Sequence, residues 1–317
     1  MSKVNNLKNK KLVFIGGRDR GLECLQELLR KGINISYIFC MPEDPHEREK
    51  YCDDIKTLAD QNHIPIKITK FVRSEEDKNL LKEVRPDLIV VMGWRTIIPR
   101  EIYEIPKYKS VAVHESYLPK YRGFAPVNWV VINGEKSTGV SLFYLAEGMD
   151  SGDLVDQIKV PIGINDTAID VYRKTKTASI KVLIRNLSKL LNGTPRRKKQ
   201  NEKLATYTCA RIPDDGRIDW NLPTLKIYNL IRALSDPYPG AFTTYEDKKI
   251  IIQKAELVKS PLNYAGRICG RIVAINDLGV DVLTKDSILR IKEIETVAGE
   301  RLPARQILKS IKGTLGW

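Results

Sequence analysis

Short apolar runs alternate with amphipathic segments through the first 114 residues, and this alternation limits the possible folds more than any other feature of the chain. The runs predicted as strands are 11–17, 33–40, 64–68, 87–92 and 111–114. The segments predicted as helices between them are 21–31, 49–61 and 74–84. Strands that alternate with helices along the chain form a parallel sheet with helices on both faces. We therefore predict an α/β, Rossmann-like fold with a mostly parallel, twisted sheet.

A histidine stands at the end of the last of these strands. His114 follows three apolar residues and precedes a basic loop bracketed by proline and glycine. A further predicted strand, 139–145, leads into an acidic, glycine-rich turn that holds Asp150, 36 residues after the histidine. An imidazole and a carboxylate at the carboxyl ends of neighbouring strands can exchange protons with a substrate. We interpret this pair as the reaction centre.

The residues at two other strand ends are typical of the wall of a ligand crevice. The strand 87–92 ends in Gly93 and Trp94, and a glycine beside an aromatic residue suits the wall of such a crevice. The first strand ends in residues 16–21, whose glycine spacing differs from the dinucleotide-binding pattern. Arg18 in this turn has two interpretations, a tight strand-to-helix turn and a phosphate or substrate contact at the helix N-terminus.

The second half of the chain changes from helices to short strands. A long helix is predicted at 165–192, and a polar, basic segment with Pro195 follows it. The remaining predicted elements are a helix at 222–234, short strands at 241–246, 249–258, 268–275, 279–284 and 287–293, and a helix at 303–312. Several short strands indicate a small β-barrel of OB-like type. We predict a catalytic domain over 1–193, a basic linker over 194–208 and a smaller domain over 209–317.

Charge and cysteine content narrow the class of protein. The formal net charge of +14 favours an anionic partner, but it suits nucleic acid, a nucleotide and a polyglutamylated cofactor equally. Five scattered cysteines without a C-x-x-C pair argue for reduced thiols in a cytoplasmic protein and against a metal site. No run reaches the roughly 18 apolar residues of a membrane helix, so no membrane partner is expected. His46 and His63 lie in loop-like contexts and are predicted at the surface.

Several motifs resemble the signature of the formyltransferases that use 10-formyltetrahydrofolate. They are residues 114–129, with the core Leu-Pro-Lys-Tyr-Arg-Gly, and residues 132–140 and 147–153, with the turn Gly-Met-Asp-Ser-Gly. The resemblance continues through 205–220 and 232–242, so it covers most of the chain. It implies the formyltransferase fold, N-formyltransferase activity and 10-formyltetrahydrofolate as co-substrate, without a metal.

The resemblance also implies catalytic roles. In that family the histidine works with the aspartate and with an asparagine two positions before the histidine. His114 would take up the proton as an amine attacks the formyl carbon, and Asp150 would orient the imidazole. Ala112 stands where the family has asparagine, and loss of one donor to the formyl oxygen typically costs on the order of 10²- to 10³-fold in rate.

Three explanations for Ala112 remain open. The chain is a slowed, engineered variant, or a natural branch in which another donor serves, or a protein whose strand register brings a different residue to the oxygen. A binding module that has lost catalysis is a further alternative, which only Ala112 supports. By the same resemblance, the folate lies against two loops, formed by Met92, Gly93 and Trp94 and by Ala146, Glu147 and Gly148.

Two branches of the family formylate different amines. One acts on the methionine of initiator tRNA, and the other on an amino group of a nucleotide-linked sugar used in cell-surface polysaccharides. The tRNA branch carries a basic insertion after the second strand, where residues 41–54 of this chain are acid-rich. Clustered carboxylates repel a phosphate backbone. We therefore expect a UDP- or dTDP-linked 4-amino-deoxyhexose as acceptor and no nucleic acid, with methionyl-tRNA as the alternative.

The loop after the histidine supplies the predicted substrate contacts. Its cations could meet a pyrophosphate, to which arginine is well matched. The predicted substrate-binding residues are Arg18, Ser116, Lys120, Tyr121 and Arg122. The sequence leaves open whether the protein forms a homodimer.

Overall fold

The computed structural model describes residues 9–44, 47 and 49–316. These residues form two compact units. The first unit comprises the described residues up to Arg122 together with Gly139–Val160 and Thr175–Tyr207, and the second comprises Gly123–Thr138, Pro161–Lys174 and the described residues from Thr208 onward. The division of the sequence at residues 193 and 209 stays a prediction.

A central sheet organises the first unit. The strands in this half of the chain are β1 (Leu12–Gly16), β2 (Ile35–Cys40), β3 (Ile66–Ile68), β4 (Leu88–Met92), β5 (Ser110–His114), β6 (Arg122–Gly123), β7 (Ser137–Tyr144) and β8 (Leu154–Pro161). Seven of them pair in the order β3-β2-β1-β4-β5-β7-β8, while β6 pairs with β9 (Tyr207–Thr208). The first five strands of the sheet are parallel, and β7 is antiparallel to β5. The predicted, mostly parallel sheet is confirmed.

Helices lie in sequence between these strands and beyond them. They are α1 (Arg18–Arg30), α2 (Tyr51–Gln61), α3 (Glu75–Val84), α4 (Arg100–Tyr103), α5 (Pro126–Ile132), α6 (Ala168–Leu191), α7 (Thr224–Leu234) and α8 (Ala304–Ile307). The last helix is shorter than the predicted 303–312. No helix in the described part of the chain combines the length and the apolar character needed to cross a membrane.

The two faces of the sheet are buried in separate apolar clusters. Leu12 and Phe14 of β1 pack in one cluster with residues of α1, α2 and α6. Val13 and Ile15 of the same strand pack in the other with Leu81 of α3 and residues near α4. Successive side chains of a strand point to opposite faces, so a strand covered on both faces must be apolar throughout. This is why continuous apolar runs predicted these strands.

The second unit contains the expected β-rich module. Its strands are β10 (Ala241–Tyr245), β11 (Lys248–Leu257), β12 (Ile272–Asn276), β13 (Gly279–Leu283), β14 (Ile288–Thr296) and β15 (Arg301–Pro303). They form an antiparallel sheet in the order β10-β11-β14-β13-β12, with β15 paired to β14. A smaller domain with its own antiparallel sheet is therefore confirmed.

Helix α3 begins in a capping box that includes a buried carboxylate. The Asp77 main-chain N–H donates to Ser74 Oγ, and Asp77 Oδ2 accepts from the Ser74 N–H at 3.0 Å. Asp77 is 2% exposed and accepts a hydrogen bond of 2.8 Å from Lys67 Nζ. Burial acts to raise the pKa of the Asp77 carboxyl, but the Lys67 ammonium and the Ser74 N–H outweigh it and hold that pKa below its ordinary value.

Replacement of Asp77 by asparagine should therefore destabilise the protein in a pH-dependent way. We expect Asp77→Asn to lower the free energy of unfolding by about 1–3 kcal/mol at pH 7. Because the folded-state pKa is depressed, this contribution is present above the ordinary aspartate pKa and is lost as pH falls through the folded value. Urea denaturation from pH 7 downward measures it, with exposed Glu75→Gln in the same helical turn as control. A pH-independent loss no larger than that of the control would contradict the assignment.

Candidate active site

The carboxyl ends of β1, β4 and β5 form the base of the candidate site. Gly16 ends β1 beside Met92, the last residue of β4, and the Gly17 N–H donates to the Met92 carbonyl at 3.3 Å. Gly93 has a φ of 71°, and a Cβ there would lie 2.6 Å from the Gly17 carbonyl oxygen. Only glycine allows this close approach. The strand order reverses between β1 and β4, which is the position at which open α/β sheets usually bind their ligands.

His114 ends β5 at this edge of the sheet, and both of its ring nitrogens face polar groups. Nε2 lies 2.8 Å from the Tyr121 carbonyl oxygen, which only accepts hydrogen bonds. The Nε2 nitrogen therefore carries the hydrogen in this contact. Nδ1 faces the carboxylate of Asp150, with 3.6 Å between Nδ1 and Oδ2. The geometry leaves Nδ1 as the nitrogen that can take up a proton, and the imidazolium so formed would face a carboxylate.

Asp150 lies in the turn between β7 and β8, as the sequence indicated. Its φ is 49°, in the left-handed region that is unusual for a residue with a Cβ. The main-chain carbonyls of Asp150 and Gly152 both accept hydrogen bonds from Gln200 Nε2, at 2.7 and 2.8 Å. The structure thus brings the two predicted catalytic side chains together, one at the end of β5 and the other in the turn between β7 and β8.

Ala112 lies on the same face of β5 as His114, because the two are separated by one residue of a strand. It pairs in regular register with Val91 of β4 and Phe143 of β7 and is 8% exposed. A shifted register therefore does not explain the alanine. The methyl group adds no hydrogen-bond donor to this face.

The loop after His114 is held more tightly than a surface loop. Ser116 is buried, and its hydroxyl donates to the Lys120 carbonyl at 2.6 Å. The Tyr121 N–H donates to Thr206 Oγ1, and the Lys120 side chain is exposed. The substrate contacts predicted for Ser116, Lys120 and Tyr121 stay predictions.

Arg122 departs most from the predicted position. Its side chain is fully buried instead of projecting from the loop. The guanidinium donates to both carboxylate oxygens of Glu202, at 2.7 and 2.8 Å, to Gln200 Oε1 at 2.8 Å from Nη2, and to the Tyr207 hydroxyl at 2.9 Å. The Glu202 carboxylate raises the pKa of Arg122 further. A buried charge needs such partners, so this arginine has a structural role here.

Arg18 is also engaged within the protein. It pairs with Glu47, which also accepts from Arg95 at 3.3 Å. Arg95 and Lys70 both pair with Asp44, at 2.9 and 3.2 Å. Two of the acidic residues after β2, Asp44 and Glu47, are thus matched by cations from other parts of the first unit. Of the two histidines predicted at the surface, His63 is exposed, whereas His46 lies outside the described residues.

The predicted folate-binding residues differ in their surroundings. Met92 is buried at the end of β4, whereas Ala146, Glu147 and Gly148 are exposed. Trp94 is half-buried, and its indole Nε1 is a buried donor without a partner among the described residues. A buried indole N–H usually has an acceptor, so the absence of one among the described residues is unusual.

Sequence reasoning missed three polar residues, Glu115, Arg20 and Gln200, near the His114–Asp150 pair. Glu115 follows His114 directly, is 7% exposed and forms an ion pair with Arg20 of α1. Gln200 lies in the segment predicted as a linker and reaches the turn of Asp150. No periodicity in the sequence could have predicted either contact, because each joins residues that are far apart in the chain.

The chain matches two protein-family models in sequence order. The model described as formyl transferase matches residues 10–187, and the model described as formyl transferase, C-terminal domain, matches residues 212–312.

Proteins of similar sequence and structure come from several bacteria. The chain is 34% identical over 301 residues to the methionyl-tRNA formyltransferase of Clostridioides difficile (strain 630), with 94% of this chain and 96% of that protein covered. It is 34% identical over 308 residues to that of Malacoplasma penetrans (strain HF-2), with 96% and 95% covered. Among solved structures, the N-formyltransferase from Helicobacter canadensis in complex with folinic acid and dTDP-3-aminofucose has a TM-score of 0.67 at 21% identity, covering 89% of this chain and 99% of that one. At this identity the structural likeness shows the fold alone.

The burial of Arg122 can be tested against its exposed neighbour. We expect Arg122→Met to lower the free energy of unfolding by about 2–4 kcal/mol, because it leaves Gln200 Oε1 buried without its donor and removes a paired charge. Lys120→Met should change it by no more than about 0.5 kcal/mol. Chemical denaturation of both variants measures the difference, and equal effects would contradict the buried position of Arg122.

Proposed function

We propose a function from one premise: this chain belongs to the formyltransferase family. It is accordingly an enzyme that transfers a one-carbon formyl group. The family draws that group from 10-formyltetrahydrofolate. We propose that this chain passes it to the amino group of the methionine carried by initiator tRNA.

One observation supports this acceptor above all others. Five curated relatives that are 30–34% identical to the chain over at least 94% of its length are methionyl-tRNA formyltransferases. The match extends over 94–97% of those proteins as well. Both units of this chain therefore have counterparts in enzymes of that name.

The expectation of a nucleotide-linked amino sugar as acceptor is wrong, and so is the exclusion of nucleic acid. The N-formyltransferase from Helicobacter canadensis, whose structure contains dTDP-3-aminofucose, shares the fold at 21% identity, whereas the methionyl-tRNA formyltransferase of Clostridioides difficile is 34% identical. The acid-rich sequence after β2 led to the wrong acceptor because the sequence shows the number of carboxylates but not their cationic partners. Its carboxylates Asp44 and Glu47 are paired with Arg18, Lys70 and Arg95, so they carry less repulsion toward a phosphate backbone than their number suggests.

The proposed chemistry assigns a role to each member of the His114–Asp150 pair. The methionine nitrogen bonds to the formyl carbon, the bond from that carbon to the donor nitrogen breaks, and the attacking amine must lose a proton. His114 Nδ1 accepts that proton, since Nε2 is engaged with the Tyr121 carbonyl. Asp150, 3.6 Å away, stabilises the resulting imidazolium. The proton is then available to the departing nitrogen of the donor.

The residues at the ends of β1 and β4 fit the proposed donor. Trp94 offers a buried N–H without a partner among the described residues, and the pteridine ring of a folate carries hydrogen-bond acceptors. Gly93 allows the backbone of this wall to lie close to the first turn, since a Cβ there would meet the Gly17 carbonyl oxygen. The donor, when bound, supplies the electrophilic formyl carbon.

The acceptor can be tested with two substrates side by side. With 10-formyltetrahydrofolate as donor, we expect formylation of methionyl-tRNA and no modification of UDP- or dTDP-linked 4-amino-deoxysugars, as measured by mass spectrometry. For about four phosphate contacts, tRNA affinity should fall on the order of 10²-fold between 50 and 200 mM salt. Sugar formylation without formylation of methionyl-tRNA would overturn the proposal.

The alanine at the oxyanion position has a test of its own. Ala112→Asn places an amide on the His114 face of β5, and we expect it to raise kcat on the order of 10²-fold by stabilising charge on the formyl oxygen. Ala112→Leu provides the size of asparagine without the amide and should give no gain. A gain below about threefold for Ala112→Asn would mean that another donor already serves the oxygen.

A further inference from the structure

All hydrogen-bonding groups of the Gln200 side chain have partners within the first unit. It lies in residues 198–207, a stretch of the first unit that leads from a bridge with β8 to β9. Its Nε2 donates to the carbonyls of Asp150 and Gly152, and its Oε1 accepts from Arg122 Nη2 at 2.8 Å and Nε at 3.2 Å. A glutamine amide has two hydrogens to donate and two lone pairs to accept with. All four are therefore in use, and the amide cannot rotate without losing them.

The donor side of this amide acts on the turn that carries Asp150. The left-handed backbone of Asp150 is a conformation that persists only where neighbours hold it. The opposite side of the turn is fixed as well, since a Cβ at Gly152 would lie 1.7 Å from the Tyr144 carbonyl oxygen. Gln200 and Tyr144 thus enclose the turn and set the direction of the Asp150 side chain.

The acceptor side acts on the loop that contacts His114. Arg122, which Gln200 holds, directly follows Tyr121, whose carbonyl accepts from His114 Nε2. The same stretch bonds this loop through its backbone, because the Arg122 N–H donates to the Thr206 carbonyl and the Tyr121 N–H donates to Thr206 Oγ1, both at 2.9 Å. The orientation of the imidazole therefore depends on residues 198–207 too.

We infer that Gln200 is a positioning residue for the His114–Asp150 pair. One amide ties the turn of the carboxylate to the loop that anchors the imidazole, and it thereby sets the separation of Nδ1 and Oδ2. It acts through main-chain carbonyls and Arg122 rather than on the reacting atoms. The inference rests on the roles proposed above for His114 and Asp150.

The Gln200→Glu variant tests the donor function of the amide separately from its acceptor function. The variant keeps oxygens that accept from Arg122, but it loses both donors and turns a carboxylate oxygen toward two carbonyl oxygens. Supporting residues of this kind typically affect activity 10- to 100-fold. We expect kcat for methionyl-tRNA to fall by about that factor, while KM for tRNA and for 10-formyltetrahydrofolate changes less than about threefold.

The control is the same substitution in the second unit. Gln253 Nε2 donates to Glu295 and its Oε1 accepts from the Asp236 N–H, so Gln253→Glu also breaks an amide network. It should leave kcat unchanged. If Gln200→Glu does not fold, Gln200→Asn keeps the amide but shortens the arm, so that it cannot span both loops, and the same expectations apply.

A spectroscopic measurement separates this inference from the choice of acceptor. The ring resonances of His114 are assigned by their loss in His114→Gln, and they should move in Gln200→Glu in the direction in which Asp150→Asn moves them. Unchanged ring resonances, or a kcat within about threefold of the unsubstituted enzyme, would overturn the inference. If the enzyme does not formylate methionyl-tRNA at all, the proposed function fails, and the resonances still decide whether Gln200 positions the pair.

Discussion

A guanidinium without solvent contact must find its hydrogen-bond partners in the protein, and Arg122 is such a group. Its partners Gln200, Glu202 and Tyr207 come from a stretch about 80 residues later in the chain. To satisfy one buried charge, that stretch must lie along the loop after β5. Once there, Gln200 also reaches the turn of Asp150. The two residues of the proposed catalytic pair, His114 and Asp150, are therefore held by one network.

The parallel sheet determines where His114 lies. Because β1, β4 and β5 run in the same direction, Gly16, Met92 and His114 all end at one edge. The antiparallel β7 ends beside Val111, near the start of β5, so the turn after it must extend back along the sheet to bring Asp150 to His114. The sheet thus decides which residues can meet, and the hydrogen bonds of Arg122 and Gln200 decide how closely they are aligned.

Much of this fold could be predicted from the sequence, because the central strands β1 and β4 are buried on both faces. The runs 87–92 and 111–114 differ from β4 and β5 by a single residue at one end. The His114–Asp150 pair could be found because each residue ends or follows such a run. In the second unit, β15 has only three residues and an intermediate or exposed pattern, so no run indicated it.

The contacts of polar side chains could not be predicted in this way. Residues 194–208 are basic, contain proline and have no apolar period, which is typical of a linker, yet Gln200 within them is 9% exposed. A basic loop predicted exposed cations, but Arg122 is buried because Glu202 and Tyr207 pair with it. Acidic residues after β2 predicted repulsion of phosphates, but Asp44 and Glu47 have cationic partners distant in sequence. In each case the side chain is paired with a residue that is distant in the sequence, and the sequence alone does not show that pairing.

Whether His114 and Asp150 act as one unit in formyl transfer is tested most directly by single-turnover rates with methionyl-tRNA. The rates are compared for His114→Gln, Asp150→Asn and the double variant. If the two residues form one proton-handling unit, the double variant reacts no more than about threefold slower than the slower single variant, because either loss already disables the pair. Rate losses that multiply in the double variant would show independent contributions and would contradict the mechanism.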